Sequence, residues 1–393
     1  MTGDGVAENV KAGRAVRRWT QQRFADLIGF SVSTVRKVEQ GAIPASPEFV
    51  AKAARALDVL PEQLEGTPFL GTIHQDGALV GLADLRAVLA EGEHVRAVAP
   101  DPLARMVDDL ERVNLLYRND KGRQALAGLP LLIRKFHGAL RDTTSDGERG
   151  RLHSCLASAF VTAERLCRRF GFTALAVPAL DRLDWAAERA DDPLYAAQAR
   201  VKRCRVLMYL DSIDVGLGLA EQGIDLVHGD DEAALAVRGY GHLCGAIAAA
   251  RGRRADTAWA HIAQARALAR RVNGESDAYD TLFGAANVEI HACAVELEAG
   301  DPGKAARVGA ELRLPEAIAP PRAGHHWQDT ARGFLLAGDP GRALDALHRA
   351  RRVAPQQTRL HPGVRETVRG IAVAQRRTSP STAEFARWVG LGR

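Results

Sequence analysis

Long apolar runs are missing from this 393-residue sequence. No stretch of 18 apolar residues occurs, so no membrane-spanning helix is expected. The N-terminus carries charge from its first residues and has no apolar core of the kind a secretory leader needs, so a cytoplasmic protein is expected. Paired cysteines are missing as well. Cys155, Cys167, Cys204, Cys244 and Cys293 form no CxxC pair, and their number is odd. Each stands in an apolar helical context, which reads as a buried free thiol and argues against a disulfide framework or a zinc site. Lysine is scarce, with seven among 53 basic residues. The arginine excess, beside abundant alanine and glycine, matches the codon bias of a GC-rich genome better than any function.

Catalytic patterns are absent too. There is no Walker phosphate loop, no nucleophile elbow and no isolated carboxylate pair. Gly216-Leu217-Gly218-Leu219 has half the shape of a dinucleotide loop. It follows no strand pattern, and Glu221 occupies the third glycine position. His325 and His326 are adjacent, whereas metal-binding histidines on a helix stand four apart; adjacent side chains diverge by about 100°. No enzyme, catalytic residue, cofactor or metal is expected.

What remains is an ordinary globular composition, 46% hydrophobic and 26% charged, with two or three domains expected from length. The net charge of +5 fits a polyanionic partner, but many proteins without one share it. Residues 1–65 read as a bundle of short helices. A first helix is expected from Val10 to Trp19, with Lys11, Arg14, Arg17 and Arg18 on it. Thr20 is the N-cap of a second, with Phe24 and Leu27 on its buried face, and Gly29 stops it. Ser31 caps a third helix, pinned by Val35 and Val38 and ended at Gly41. Ser46 and Pro47 open a fourth helix and Pro61 a last short turn. This spacing packs the second and third helices at a steep angle and leaves Val32, Ser33, Thr34, Arg36 and Lys37 facing out. Such a projecting helix fits the major groove of DNA, which is about 12 Å wide. Residues 1–65 are nearly neutral, yet seven basic residues and one acid, Asp26, lie between Val10 and Lys37.

Residues 66–101 are broken by Gly66, Pro68, Gly71, Gly77 and Pro100 and read as a linker with partial helix, Leu79 to Leu89. Residues 102–393 show helical periodicity with short breaks. Ala299-Gly300-Asp301-Pro302-Gly303-Lys304-Ala305 recurs 38 residues later as Ala337-Gly338-Asp339-Pro340-Gly341-Arg342-Ala343. Gly ends one helix, Asp caps the next, and Pro takes its first turn. Arg251-Gly252-Arg253-Arg254-Ala255-Asp256 is a looser relative. Paired helices recurring at this interval imply a solenoid. The fold class expected is all-α: a helix-turn-helix bundle followed by an α-solenoid.

The stretch from Thr20-Gln21 through Phe24-Ala25, Gly29, Ser31, Thr34-Val35, Val38-Glu39 and Gly41, continuing by Pro44 and Ser46 to Ala54, Leu57 and Val59, resembles the helix-turn-helix of the lambda-repressor and Cro family, also called the XRE family. The resemblance implies that Gln21 and Gln22 contact phosphates and that Val32, Ser33 and Lys37 read bases, with Arg36 at the margin toward phosphate. Ser31 and Thr34 belong to the same DNA-binding set, as do Arg17 and Arg18, which with Arg14 suit contacts to the DNA backbone. Elementary chemistry agrees: Lys37 can donate to guanine, Ser33 can bond either way, and Val32 can touch a thymine methyl. Residues from about 102 onward are similar to the tetratricopeptide-like domain behind such motifs in actinobacterial regulators, on Ala190-Asp191-Asp192-Pro193-Leu194, the two repeat copies and Ala350-Arg351-Arg352-Val353-Ala354-Pro355. The interval of 38 departs from the nominal 34 of those repeats.

These resemblances imply a transcriptional regulator that binds double-stranded DNA as a homodimer. Its solenoid would take a peptide or small-molecule effector, or mediate oligomerisation. Arg200, Lys202, Arg203, Arg205, Tyr209, Tyr240, His242, Asn287 and His291 are candidates for the groove, each with a solvated face or a satisfied core position as its alternative. The competing reading of the chain is a protein-binding scaffold whose DNA motif is vestigial or directed to a partner.

Overall fold

A computed structural model describes residues 5–375 and 378–391. Five short helices come first: α1 (Val6–Val16), α2 (Gln21–Ile28), α3 (Val32–Glu39), α4 (Pro47–Ala56) and α5 (Pro61–Glu65). Thr20, Ser31 and Ser46 each accept a hydrogen bond from the backbone N–H three residues on, which satisfies one of the N–H groups a helix start leaves open. Val6, Val10, Phe24, Ala25, Ile28, Val35, Val38, Phe49, Leu57 and Leu64 form one core.

Two expectations need correcting here. The first helix spans Val6–Val16, not Val10–Trp19. Arg17 is therefore its cap and Arg18 lies beyond it at φ 54°. Val6, Val10 and Gly13 line the buried stripe, and the chain must reverse before Trp19 to place Thr20. Leu27 is 55% exposed, because α2 buries the face carrying Phe24, Ala25 and Ile28.

Residues 66–101 contain α6 (Leu70–Gln75) and α7 (Leu82–Glu91). Ile73, Leu85, Val88, Leu89 and Val95 enter the same core as the helices that follow. Arg134 fixes this segment from below, donating to both oxygens of Glu91 at 2.6 and 2.7 Å.

The rest is a stack of antiparallel pairs: α8 (Leu103–Arg118) with α9 (Gly122–Asp142), α10 (Asp146–Arg169) with α11 (Ala176–Ala187), and α12 (Leu194–Leu207) with α13 (Ile213–Asp225). There follow α14 (Glu232–Arg251) with α15 (Ala255–Ala269), α16 (Ala285–Ala299) with α17 (Pro302–Glu311), and α18 (Pro320–Leu336) with α19 (Pro340–Val353). α20 (Pro355–Leu360), α21 (Pro362–Ala374) and α22 (Pro380–Trp388) close the end. The first helices of successive pairs touch one another and form an inner row; the second helices lie outside. This is a helical-repeat solenoid.

Both copies of the Ala-Gly-Asp-Pro motif lie at the turn inside a pair. Asp301 accepts from Gly303 and Lys304 N–H, and Asp339 from Arg342 N–H, each with proline next in the chain. The looser relative, Arg251–Asp256, holds the same place between α14 and α15.

Among the described residues, one departure from an all-helical fold occurs. Glu275–Ser276 pairs antiparallel with Phe283–Gly284 before α16. The ribbon drives the Phe283 ring into α14 at Gly239, where a Cβ would stand 2.1 Å from the ring, so only glycine fits. Cys167, Cys204 and Cys244 are buried free thiols as read from sequence; Cys155 and Cys293 are only partly buried. Among the described residues no helix is long and apolar enough to cross a membrane.

Candidate nucleic-acid interface

The turn between α2 and α3 is built by Gly29, whose φ of +69° is open to glycine at no steric cost. The chain then swings so that Val35 and Val38 face the core at 0% and 2% exposure. On an eight-residue helix this leaves a definite outer face. Ser33, Arg36 and Lys37 are exposed on it, as is Gln40 at its C-cap. Ser31 is exposed too, and its hydroxyl meets that of Thr34 at 2.8 Å. Val32 and Thr34 are half-buried, and Val32 packs on the bundle core, so less of each faces outward than the sequence suggested.

The end of α3 is fastened by Glu39, whose side chain is 4% exposed. It accepts from Arg14 Nε at 2.7 Å and Nη2 at 3.0 Å, and from Gln21 Nε2 at 2.7 Å. Arg14 also donates to the Trp19 carbonyl at 2.7 Å. The hydrogen bond to Glu39 raises the Arg14 pKa further. Arg14 is thus a structural brace between α1 and α3 and not a group free for phosphate, which corrects its reading from sequence. Gln21, at the first position of α2, is oriented by the same carboxylate.

The other residues of the sequence-derived set are spread around this frame. Arg17 donates to the Leu57 carbonyl and stands 5.6 Å from the Trp19 ring centroid. Arg23 lies 5.6 Å from the same ring. Arg18 and Gln22 are exposed, and Gln22 donates to Asp26 at 2.9 Å. Lys11, Arg18, Arg23, Arg36 and Lys37 are therefore the exposed cations of the described α1–α3 region. Neither Glu39 nor Arg23 carries a role that sequence reasoning assigned. Glu39 was only one letter of a pattern, and its partner Arg14 stands 25 residues away.

The bundle is gripped by the solenoid. Arg253, in the turn between α14 and α15, donates to the Gly29 carbonyl at 3.3 Å and pairs with Glu48 at 3.0 Å. Its guanidinium lies 4.9 Å from the centroid of the Phe30 ring. Arg55 reaches Asp211 at 3.3 Å. At the last turn of α5, burial and the charges of Glu366 and Glu62 raise the Glu65 carboxyl to about 8, with Arg251 opposing them. The folded state thus keeps a proton that an unfolded chain releases above about pH 4.5. Stability contributed by this group is full below that value and is lost as pH rises toward 8. Glu65→Gln is therefore expected to match the wild type near pH 4.5 and to melt at increasingly higher temperature up to about pH 8, with a constant gap above it. A parallel offset at all pH values would contradict this.

The solenoid candidates divide. Arg203 pairs with Asp181 at 2.8 Å and with Asp184, and Arg200 reaches Asp184 at 3.8 Å, so both brace α12 to α11. His242 faces His261, ring nitrogens 3.0 Å apart, and Asn287 is wholly buried and donates to the Leu282 carbonyl. Lys202, Arg205, Tyr209, Tyr240 and His291 sit instead along the inner row, on α12, α14 and α16 and the turn after α12. His325 lies near them, and its crowded surroundings with the charges of Arg322 and Arg205 lower its pKa. His326 is 1% exposed and bonds the Gly309 carbonyl at 2.8 Å.

Residues 7–65 match a family model described as a helix-turn-helix domain. No curated protein matches the chain. Among solved structures, BtubC from P. vanneervenii aligns over 69% of this chain and 91% of its own, at 15% identity and a TM-score of 0.37. PlcR of Bacillus thuringiensis, solved with the peptide PapR7 and DNA, aligns over 85% of this chain and 96% of its own, at 13% identity and a TM-score of 0.33. At such TM-scores neither likeness bears weight, and the architecture rests on the helix pairs themselves.

Proposed function

We propose, from a helix-turn-helix domain at residues 7–65 seated on a helical-repeat body, that this protein is a sequence-specific DNA-binding transcriptional regulator whose repeat domain senses an effector. The observation that carries the reading is the outer face of α3. A capped helix, pinned by Val35 and Val38 and braced by Glu39, presents Ser33, Arg36 and Lys37 to solvent, and the same bundle carries the exposed cations Arg18 and Arg23. Hydroxyl and ammonium groups on one narrow helix are the donors that base edges in a major groove accept, and flanking guanidiniums suit phosphates. Ser31, Val32 and Thr34 set the entry of that helix, and Arg17, Gln21 and Gln22 lie on its flank.

A single recognition helix reads few base pairs, so specificity calls for two copies on half-sites about one helical turn apart. We assign the protein as a homodimer on DNA for that reason. We divide the chain at 1–65, 66–101 and 102–393, the middle segment packing into the same core as the first repeat helices rather than running free as a linker.

Selection of genomic fragments by the purified full chain, at near-physiological salt, tests the reading. Recovery of a few discrete fragments sharing a palindromic site is expected. Weak, salt-sensitive retention of any DNA, with no shared site, would favour the scaffold instead.

A further inference from the structure

Among the described residues, four cations stand without an ion-pair partner where the inner helices converge. Lys202 on α12 is 2% exposed, and its ammonium meets the Tyr240 hydroxyl at 3.5 Å. Arg205, almost one turn further, donates to the same hydroxyl at 2.9 Å. Arg251, the last residue of α14, lies 5.1 Å from the Tyr209 ring centroid, and its Nε is buried with no hydrogen-bond partner. Arg322, in the first turn of α18, likewise has a buried Nε with no partner.

Most carboxylates nearby are already engaged, and Glu65, which faces Arg251, keeps its proton up to about pH 8 through burial and its acidic neighbours. Glu164, which also attracts Lys202, is bound by Arg168. Glu298 is bound by Arg332 at 2.8 Å, and Asp280 by Arg165 at 3.2 Å. Glu275 accepts from the backbone N–H of Ala286 and Asn287. Among the described residues no ion pair joins Lys202, Arg205, Arg251 or Arg322 to an acid. Removing a charge from bulk water without a partner is unfavourable. Burial, then repulsion by Arg205, lowers Arg322 to about 10, and burial, then Arg165, lowers Lys202 to about 7, whereas Tyr240 beside it raises Arg205.

We propose that this cluster binds the anionic group, carboxylate or phosphate, of a small molecule, held between the guanidiniums of Arg205 and Arg322 and the hydroxyl of Tyr240. Planar guanidiniums match both groups with paired N–H donors, which a lone ammonium does not. The assignment rests on the reading of the solenoid as a sensor and names the chemistry it would sense. It also supplies a route outward. Arg251 belongs to the cation cluster, and Arg253, two residues on, holds the Gly29 carbonyl at the turn before α3. Neutralising the cluster acts on the same short turn that grips the DNA-reading bundle.

The test is thermal unfolding and titration calorimetry of the full chain with inorganic phosphate and with citrate, against chloride at equal ionic strength. One or both are expected to raise the melting temperature in a saturable way, and Arg322→Gln to abolish the rise. Without multivalent anions, Arg322→Gln should melt above the wild type, because an unpaired charge has been removed from the interior. Equal anion responses in both proteins, no response to either anion, or a lowered melting temperature of the variant in chloride would each overturn the site. Native mass spectrometry of the chain as purified separates sources: a bound small acid supports the proposal, and a bound peptide replaces it. Fragment selection with Arg322→Gln keeps the two readings apart, since loss of the anion response with DNA selection intact concerns this cluster alone.

Discussion

Lys37→Ala is expected to flatten the base preference of the protein at one position of each half-site while leaving its fold unchanged. The side chain is exposed on the outer face of α3, and the core contacts of that helix come from Val35 and Val38. Loss of a specific donor to a base edge costs about 1–3 kcal/mol of discrimination, or roughly 5- to 150-fold between the preferred base and its competitors. Titration of a selected site and its single-base variants reads this directly. A contrasting change sharpens the result. Arg18→Ala should weaken all sequences alike and reduce the salt slope by about one, as removal of one phosphate contact does. Should Lys37→Ala behave like Arg18→Ala, the ammonium touches backbone and the base-reading role passes to Ser33. Should it change nothing, the scaffold reading gains.

A larger structural effect is expected at Glu39. Its carboxylate carries three hydrogen bonds, two from Arg14 and one from Gln21, in a nearly dry setting. Glu39→Ala leaves the Arg14 guanidinium, itself 16% exposed, without its anion. Breaking one side of a buried pair is worth about 3 kcal/mol or more, a large part of what a bundle of this size has in reserve. Trp19 stacks 6.4 Å from Phe24 beside this brace, so its fluorescence should report early unfolding of residues 6–65. DNA affinity should fall with it, because Gln21 and the end of α3 lose their common anchor. An unfolding midpoint equal to that of the wild type would show that Glu39 is solvated in solution.

The bundle was largely legible because its signals are local. A hydroxyl at Thr20, Ser31 or Ser46 caps the helix that follows whatever the rest of the chain does, and each does so. The repeat was legible for the same reason, since Asp301 and Asp339 bond to N–H groups within three residues. Faces were harder to read. α2 and α3 have eight residues each, little more than two turns, so one residue of rotation moves Leu27 out and Val32 part-way in. Arg14 and Arg17 look like the exposed Arg18 in sequence; only the approach of α3 to one and of the Leu57 carbonyl to the other marks them as engaged. The inner cations were beyond reach in part: Lys202 and Arg205 could be named, but Arg251 and Arg322 join them only through the angle between successive helix pairs. Nothing around Arg253 marks it as a contact to Gly29, 224 residues away.

The contacts that Arg253 and Arg55 make between bundle and solenoid have a consequence for operator architecture. A reading head on a loose tether would accept half-sites at many separations, because the tether absorbs the error. Here the head is seated against the repeat body through Gly29, Phe30, Glu48 and Arg55. For two copies on one duplex, the distance between reading helices is then a property of the protein body. One inserted base pair shifts a half-site by about 3.4 Å and turns it by roughly 35° about the duplex axis, and a seated head can follow that displacement only by letting go of the turn that holds it.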